Sequence, residues 1–255
     1  MKAALITEKE TISFLEFDDP DPELDQVVVD IILCGICGTD IHGFNSTGPM
    51  RPSICGHEWT GIVSKVGNKV ERIKEGDRVV VAVPPSCGLC VSCQAGQMDK
   101  CNTVLEATVA AGRFDTPHGG FAPRIAVNHW RTVIANPRLS DTQAAQIEPT
   151  TICFHAVRST SPKLGDIVVV QGAGPIGLTT LQWARVAGAG ILISVEPDPT
   201  RREVASSLGA DYTVEAGDAA QELINEVTAG LGADVVYECA GVGPALQSAV
   251  DLTRR

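Results

Sequence analysis

The first half of the chain alternates short β-branched, apolar runs with turn residues. Four such runs occur, at residues 27–33, 61–66, 78–83 and 131–134. They are separated by prolines and by pairs such as Gly67-Asn68 and Gly76-Asp77, which are typical of turns. Short strands bounded by turns favour an antiparallel arrangement. We therefore predict a mostly antiparallel β domain with irregular loops.

From about residue 163 the pattern changes to alternating strands and helices. Residues 167–171 form a short apolar run, typical of a parallel strand buried on both faces. Further strands are predicted at residues 191–195, 212–214 and 235–238. Helices are predicted at residues 178–187, 200–208, 219–228 and 243–252. Gly209 is the expected C-terminal cap of the second of these helices. This alternation predicts a doubly wound parallel sheet.

The predicted organisation is two domains, residues 1–156 and residues 157–255. A complete dinucleotide-binding fold has six strands, whereas four are predicted here. We therefore expect a partial Rossmann domain, in a chain that is either a fragment or an unusually shortened variant. On this basis we expect residues 1–255 alone to be poorly stable and nearly inactive, unlike a longer parent protein.

Composition narrows the classes of function. Across 255 residues the net charge is -11, which argues against nucleic-acid binding and against an anionic membrane surface as partner. No apolar run approaches the roughly 20 residues that span a bilayer. Nine cysteines without an N-terminal apolar signal favour a reducing compartment, in which clustered cysteines are metal ligands. We therefore predict a cytoplasmic protein.

One cluster of cysteines has the spacing of a structural zinc site. It follows the pattern C-x2-C-x2-C-x7-C, formed by Cys87, Cys90, Cys93 and Cys101. An iron–sulfur run of the bacterial type has three residues before its last cysteine and a proline after it, whereas Asn102 follows here. Structural zinc is therefore the favoured interpretation, with residues 86–102 as a lobe that folds around its own metal.

A second group offers mixed ligands from distant parts of the chain. Its members are Cys37, the pair His57-Glu58, and Glu148. A site with three protein ligands leaves a position open for water or an alcohol, which four thiolates do not. These residues can meet only in the folded chain. A catalytic zinc site formed by them is therefore a hypothesis about the tertiary structure.

A glycine-rich loop follows the predicted strand at residues 167–171. It reads Gly172-Ala173-Gly174-Pro175-Ile176-Gly177 and opens a helix, which is the context of a dinucleotide-binding loop. Glu196 ends the next strand and is expected to accept hydrogen bonds from the adenosine ribose hydroxyls. NAD is therefore favoured over NADP, although Arg201 and its neighbour Arg202 are placed to hold a 2′-phosphate.

These motifs together resemble a known family. Gly56-His57-Glu58, with Gly61, Gly67, Val70 and Gly76-Asp77-Arg78-Val79, is similar to the signature of zinc-containing alcohol dehydrogenases. The chain resembles the zinc-dependent medium-chain dehydrogenase/reductase family, in the branch of polyol, butanediol and threonine dehydrogenases. The resemblance spans essentially all of the chain. It implies a GroES-like β barrel as the N-terminal catalytic domain, followed by the Rossmann domain.

The resemblance also implies roles for individual residues. Cys37 and His57 match the first two ligands of a catalytic zinc, and Glu148 the third. Glu58 matches a glutamate that is a ligand in some relatives and hydrogen-bonds a ligand in others. Asp40 matches the carboxylate that hydrogen-bonds the ligating imidazole. Thr39 and His42 match the hydroxyl and the imidazole of a proton relay.

The leading hypothesis is a hydride transfer between a secondary alcohol or polyol and NAD, with two zinc ions per chain, one catalytic and one structural. An aldehyde- or formaldehyde-directed zinc dehydrogenase is the alternative within enzymes. Outside the class of enzymes, the alternative is a non-catalytic remnant that binds zinc or nucleotide. The expected partner is a small-molecule substrate, with neither nucleic acid nor membrane, and the full-length parent is expected to form homo-oligomers.

Overall fold

In a computed structural model of the 255-residue chain, the structure describes residues 1–46, 53–54, 56–81, 89–97, 100–102 and 119–254. These residues form two compact units, Met1–Glu148 and Pro149–Arg255. The division falls inside the helix Ile147–Thr160, which also contains the predicted boundary after residue 156. Among the described residues, no helix has both the length and the hydrophobicity needed to cross a bilayer.

The first unit contains two sheets. Strands β1 to β8 are Lys2–Glu8, Thr11–Glu16, Gln26–Gly35, Ser53–Ile54, Glu58–Val66, Arg78–Val81, Arg124–Asn128 and Thr132–Ile134. One sheet has the order β2-β1-β4 and the other β7-β3-β5-β6-β8, and every described pairing within them is antiparallel. The predicted antiparallel domain is therefore confirmed.

Alternation along these strands builds the core of the first unit. Val27, Val29, Trp59, Val63 and Ile125 point into one apolar cluster, and each is almost completely buried. In the part of this unit that the structure describes, the sheets are accompanied by helices α1, α2, α3 and α4, which span Gly38–Asn45, Val91–Gln94, Asp141–Ala145 and Ile147–Thr160. Helix α4 begins in the first unit and continues into the second.

The second unit is a four-stranded parallel sheet with order β11-β10-β9-β12. Strands β9 to β12 are Ile167–Gln171, Ile191–Val195, Tyr212–Val214 and Val235–Glu238. Helices α5 to α8 are Pro175–Ala187, Pro199–Ser207, Asp218–Val227 and Gly243–Leu252. Alternate residues of β9 enter different cores: Val168 packs with Leu181 of α5, and Val169 packs with Ile224 of α7. Burial on both faces confirms the predicted parallel sheet.

Several elements were not predicted, and the reasons are local. The strands that were missed are β1, β2, β4 and β7, and the missed helices are α1, α2, α3 and α4. Helix α4 carries Pro149 and several β-branched residues, which have low helix propensity. The proline lies in the first turn, where its missing N–H has no intrahelical partner to lose. The predicted strand at residues 131–134 begins at Thr132, because His129–Arg131 forms a 3-10 turn.

Candidate active site and metal centres

The pairing of β3 with β5 brings the two ends of the mixed-ligand motif together. Gly35, the last residue of β3, lies opposite Glu58, the first residue of β5. Cys37 follows two residues after Gly35, and His57 immediately precedes Glu58. The ligand atoms of Cys37, His57 and Glu58 consequently lie within 4.8 Å of one another. The register of one antiparallel pair thus assembles a thiol, an imidazole and a carboxylate.

Two glycines make room for this arrangement. A Cβ on Gly35 would lie 2.3 Å from Oε2 of Glu58, so a side chain there would displace the carboxylate. Gly56 has a φ of +93°, and a Cβ there would lie 2.7 Å from Sγ of Cys34. The left-handed backbone at Gly56 strains any residue with a side chain. The predicted motif included Gly56 but missed Gly35, whose requirement comes from a contact across strands.

Asp40 connects the two segments that carry Cys37 and His57. Its buried carboxylate accepts hydrogen bonds from the backbone N–H of Cys37 at 3.0 Å and from that of Gly56 at 3.2 Å. The predicted hydrogen bond from the His57 imidazole to Asp40 is absent among the described residues. The correction has a physical reason: Asp40 is the third residue of α1, where a carboxylate satisfies amides at the helix start.

Thr39 and His42 lie on helix α1 next to Cys37. Sγ of Cys37 and Oγ1 of Thr39 are 3.6 Å apart, a weak hydrogen bond that involves sulfur. Residues three apart on a helix share a face, so Thr39 and His42 are neighbours along α1. Both side chains are exposed. The hydroxyl of Thr39 thus lies beside the thiol of Cys37, and the roles of Thr39 and His42 in a proton relay stay predictions.

Glu148 lies near the trio formed by Cys37, His57 and Glu58, but it does not share the close spacing of their ligand atoms. Among the described residues, Glu148 is not part of the group whose ligand atoms all lie within 4.8 Å. Burial raises the pKa of its carboxyl group, His57 opposes this shift and Glu58 adds to it. The charges of two members of the trio therefore act on the Glu148 carboxyl group.

The trio has the chemistry of a zinc site. Thiolate sulfur, imidazole nitrogen and carboxylate oxygen are the ligand types of protein zinc, and three of them leave a fourth position open. Cys34, only three residues from Cys37, is different: burial raises the pKa of its thiol to about 12. A thiol that stays protonated does not bind metal well, so Cys34 is not counted among the candidate ligands.

The predicted zinc lobe is described in part. Ligand atoms of Cys90, Cys93 and Cys101 lie within 4.8 Å of one another. Sγ of Cys90 is 3.5 Å from that of Cys93 and 4.0 Å from that of Cys101. Four thiolates at about 2.3 Å from a zinc ion are separated by about 3.8 Å in a tetrahedron, so the observed spacing fits zinc. Cys87, the fourth predicted ligand, lies outside the described residues.

The glycine loop of the second unit joins β9 to α5. Gly172 has a φ of +91°, and a Cβ on Gly177 would lie 1.8 Å from the carbonyl oxygen of Gly172. Gly174 is the N-cap of α5 and has no side-chain cap, and Pro175 is its first residue. Nothing lies within 4 Å of a Cβ position on Gly174. The loop therefore leaves helix amides, including that of Ile176, open to an anionic group.

Glu196 follows β10, close to this loop. Its side chain is 4% exposed, and its carboxylate accepts hydrogen bonds from the backbone N–H groups of Ala173 and Asp198. Arg201, in the first turn of α6, has an exposed side chain, while its backbone N–H donates to Asp198. The guanidinium of Arg202 donates to the carbonyl oxygens of Glu196 and Pro197.

Comparisons with known proteins agree with this geometry. Residues 23–138 match the model of the alcohol dehydrogenase GroES-like domain, and residues 175–255 match that of the zinc-binding dehydrogenases. A sorbitol dehydrogenase of Halalkalibacterium halodurans is 34% identical, over 100% of this chain and 74% of its own length. The matches in both units confirm the predicted GroES-like and Rossmann-type folds.

Two solved structures with bound cofactor are also similar. An alcohol dehydrogenase of Escherichia coli CFT073 in complex with NADH is 32% identical, with a TM-score of 0.86 over 99% of this chain and 73% of that one. A protein of Sinorhizobium meliloti 1021, described as a zinc-binding dehydrogenase and bound to NADP, is 33% identical, with a TM-score of 0.85 over 99% and 73%. The chain belongs to the zinc-dependent medium-chain dehydrogenase/reductase family, and is an oxidoreductase whose cofactors are zinc and NAD(P).

Proposed function

We propose that this protein transfers a hydride between a secondary alcohol or polyol and NAD, with a zinc ion held by Cys37, His57 and Glu58. The observation that carries the proposal is the convergence of these three ligand atoms within 4.8 Å. The similar sorbitol dehydrogenase supports a polyol as the class of substrate.

The metal site would supply the acidity that an alcohol lacks. A zinc ion bound there acts as a Lewis acid that lowers the pKa of a substrate hydroxyl by several units. The chain's own residues then have to accept the released proton. The hydroxyl of Thr39 adjoins the site, and the exposed imidazole of His42 passes the proton to solvent.

Glu148 is proposed as a second carboxylate of the same site rather than the third permanent ligand. The trio already offers three ligand types, and Glu148 lies beside it. A neighbouring carboxylate favours a cation at this position through its negative charge. Asp40 would hold the backbone of the ligand segments in place through its two amide hydrogen bonds.

The glycine loop at residues 172–177 is proposed to bind the pyrophosphate of the cofactor, through amides of the first turn of α5. Glu196 is proposed to accept hydrogen bonds from the adenosine ribose. Its negative charge disfavours a 2′-phosphate, which favours NAD over NADP. The positive charge of Arg201 favours a 2′-phosphate and so opposes this preference for NAD. The ratio of kcat/KM for NAD to that for NADP tests the proposal, and it should rise when Arg201 is replaced by alanine.

Zinc content tests the assignment of the metal sites directly. We expect two zinc ions per chain, the second bound by Cys90, Cys93 and Cys101 with Cys87. Cys37→Ser should remove one zinc and leave the other, whereas the matched control Cys34→Ser should keep both. A Cys37→Ser protein with unchanged zinc content would contradict the assignment.

Turnover tests the reaction. In the full-length parent, NADH formation with sorbitol, butanediol or threonine is expected to depend on Cys37. Turnover of formaldehyde alone would favour the aldehyde-directed alternative, and a full-length parent that binds zinc without any turnover would favour the non-catalytic one. Homo-oligomerisation of the full-length parent and a cytoplasmic location stay predictions, of which light scattering tests the first.

A further inference from the structure

Glu196 forms four hydrogen bonds within the second unit. Its carboxylate Oε2 accepts from the backbone N–H of Ala173 at 2.7 Å, and Oε1 accepts from that of Asp198 at 3.0 Å. Its own backbone N–H donates to the carbonyl oxygen of Val214 at 2.9 Å. Its carbonyl oxygen accepts from the guanidinium of Arg202 at 2.6 Å. Glu196 therefore links the glycine loop to β11 and α6.

The hydrogen bond between Ala173 and Glu196 lies in the part of the glycine loop that is proposed to bind the pyrophosphate. Ala173 lies between Gly172, whose φ is +91°, and Gly174, the N-cap of α5. The peptide plane between Gly172 and Ala173 contains the N–H that Glu196 accepts, so its orientation determines where the chain enters the helix. A loop of glycines has many accessible conformations, and fixing one of them costs entropy.

We propose that Glu196 is a positioning residue for the dinucleotide: its carboxylate fixes the glycine loop through the Ala173 N–H before the cofactor binds. The inference rests on the proposed function and adds to the ribose contact proposed above. Two carboxylate oxygens offer about four acceptor positions, of which two are used by the backbone amides. The remaining positions are free for hydroxyl groups, so one side chain can serve both roles.

Positioning of the loop and contact with the ribose predict different effects when Glu196 is substituted. Glu196→Gln keeps one acceptor oxygen, which can still serve the Ala173 N–H, whereas Glu196→Ala removes both acceptors. If the residue positions the loop, Glu196→Ala lowers the affinity for nucleotides with ribose hydroxyls and also for nucleotides without them. If it only contacts the ribose, the loss disappears when those hydroxyls are removed.

Binding of ADP and of 2′,3′-dideoxy-ADP to the full chain, by calorimetry, separates these cases. We expect Glu196→Ala to weaken both ligands by about tenfold or more, the effect of at least one lost hydrogen bond. The control Glu203→Ala, on the exposed surface of α6, should weaken neither. A loss confined to ADP would overturn the inference while leaving the proposed function intact. An unaltered chain that binds neither nucleotide would contradict the proposed function itself.

Amide hydrogen exchange without any ligand provides a second readout. In the unaltered chain the Ala173 N–H is buried and hydrogen-bonded, so its exchange should be slow. Glu196→Ala should accelerate exchange at Ala173 by about tenfold or more, without a comparable change in the core amide of Val169. Unchanged exchange at Ala173 in this variant would show that Glu196 does not hold the loop, and would overturn the inference.

Discussion

The carboxylate of Asp40 accepts the backbone N–H of Gly56 at 3.2 Å, across 16 residues of sequence. The same carboxylate accepts the backbone N–H of Cys37. One buried side chain thus joins the segment that carries the thiol to the segment that carries the imidazole. The relative position of the two proposed zinc ligands depends on Asp40 as well as on the strand pairing behind it.

Asp40→Asn should therefore weaken the mixed-ligand site without touching the cysteine lobe. Asparagine has one acceptor oxygen, so one backbone N–H loses its partner, at about 1–3 kcal/mol in the free energy of unfolding. We expect loss of one zinc ion and a lower denaturation midpoint. Asp18→Asn, which alters an exposed carboxylate, is the control and should change neither quantity.

Gly35→Ala should displace Glu58. The added Cβ would lie 2.3 Å from Oε2 of that residue, whereas a Cβ on Gly38 has nothing within 4 Å. We expect Gly35→Ala to reduce zinc affinity at the mixed-ligand site by about tenfold or more, as changes beside metal ligands commonly do. Competition with a chelator measures this, and Gly38→Ala should behave like the unaltered chain. Equal affinity in the two variants would contradict the observed position of Glu58.

Substitutions of two glycines in the loop, Gly177 and Gly174, should affect stability and cofactor binding separately. A Cβ on Gly177 would clash with backbone at 1.8 Å, so Gly177→Ala should destabilise the second unit by about 1–3 kcal/mol or more. A Cβ on Gly174 has no atom within 4 Å, so Gly174→Ala should leave the free energy of unfolding unchanged. It should still weaken NADH binding, because the new methyl group occupies the approach to the helix amides. Thermal unfolding and NADH fluorescence titration measure the two effects.

Acid should destabilise the second unit through Asp234. Hydrogen bonds from the backbone N–H of Ile167 and from Arg254 lower the pKa of this carboxyl group, the first being the larger cause. A lowered folded-state pKa gives stability that is present above the unfolded value of about 3.9 and is lost as the pH falls through the folded value. Asp234→Asn should therefore be less stable at neutral pH and lose less stability below about pH 4.

Urea unfolding at neutral and acid pH measures this difference. Glu215→Gln, at an exposed carboxylate, is the control and should retain the full dependence on pH. An Asp234→Asn protein with the same loss of stability on acidification as the unaltered chain would show that Asp234 is not a source of the acid sensitivity.

Much of the second unit could be predicted from sequence because its signals are local. The strands Ile167–Gln171, Ile191–Val195, Tyr212–Val214 and Val235–Glu238 were predicted with the bounds observed. Continuous apolar runs and glycine punctuation report burial and turns within a few residues. Helix α4 was missed because its propensity is low, and packing of residues such as Cys153 and Val157 stabilises it instead.

The sequence by itself determined the chemistry available: a thiol, an imidazole and carboxylates for a metal, and a glycine loop before a helix. Ligand types and turn residues follow from side-chain chemistry and backbone sterics, which are properties of short segments. Only the tertiary structure decided which of these groups meet. It joined Glu58 rather than Glu148 to Cys37 and His57, and it directed Asp40 to backbone amides. These choices depend on strand register and on contacts between residues far apart in the chain, which no local pattern contains.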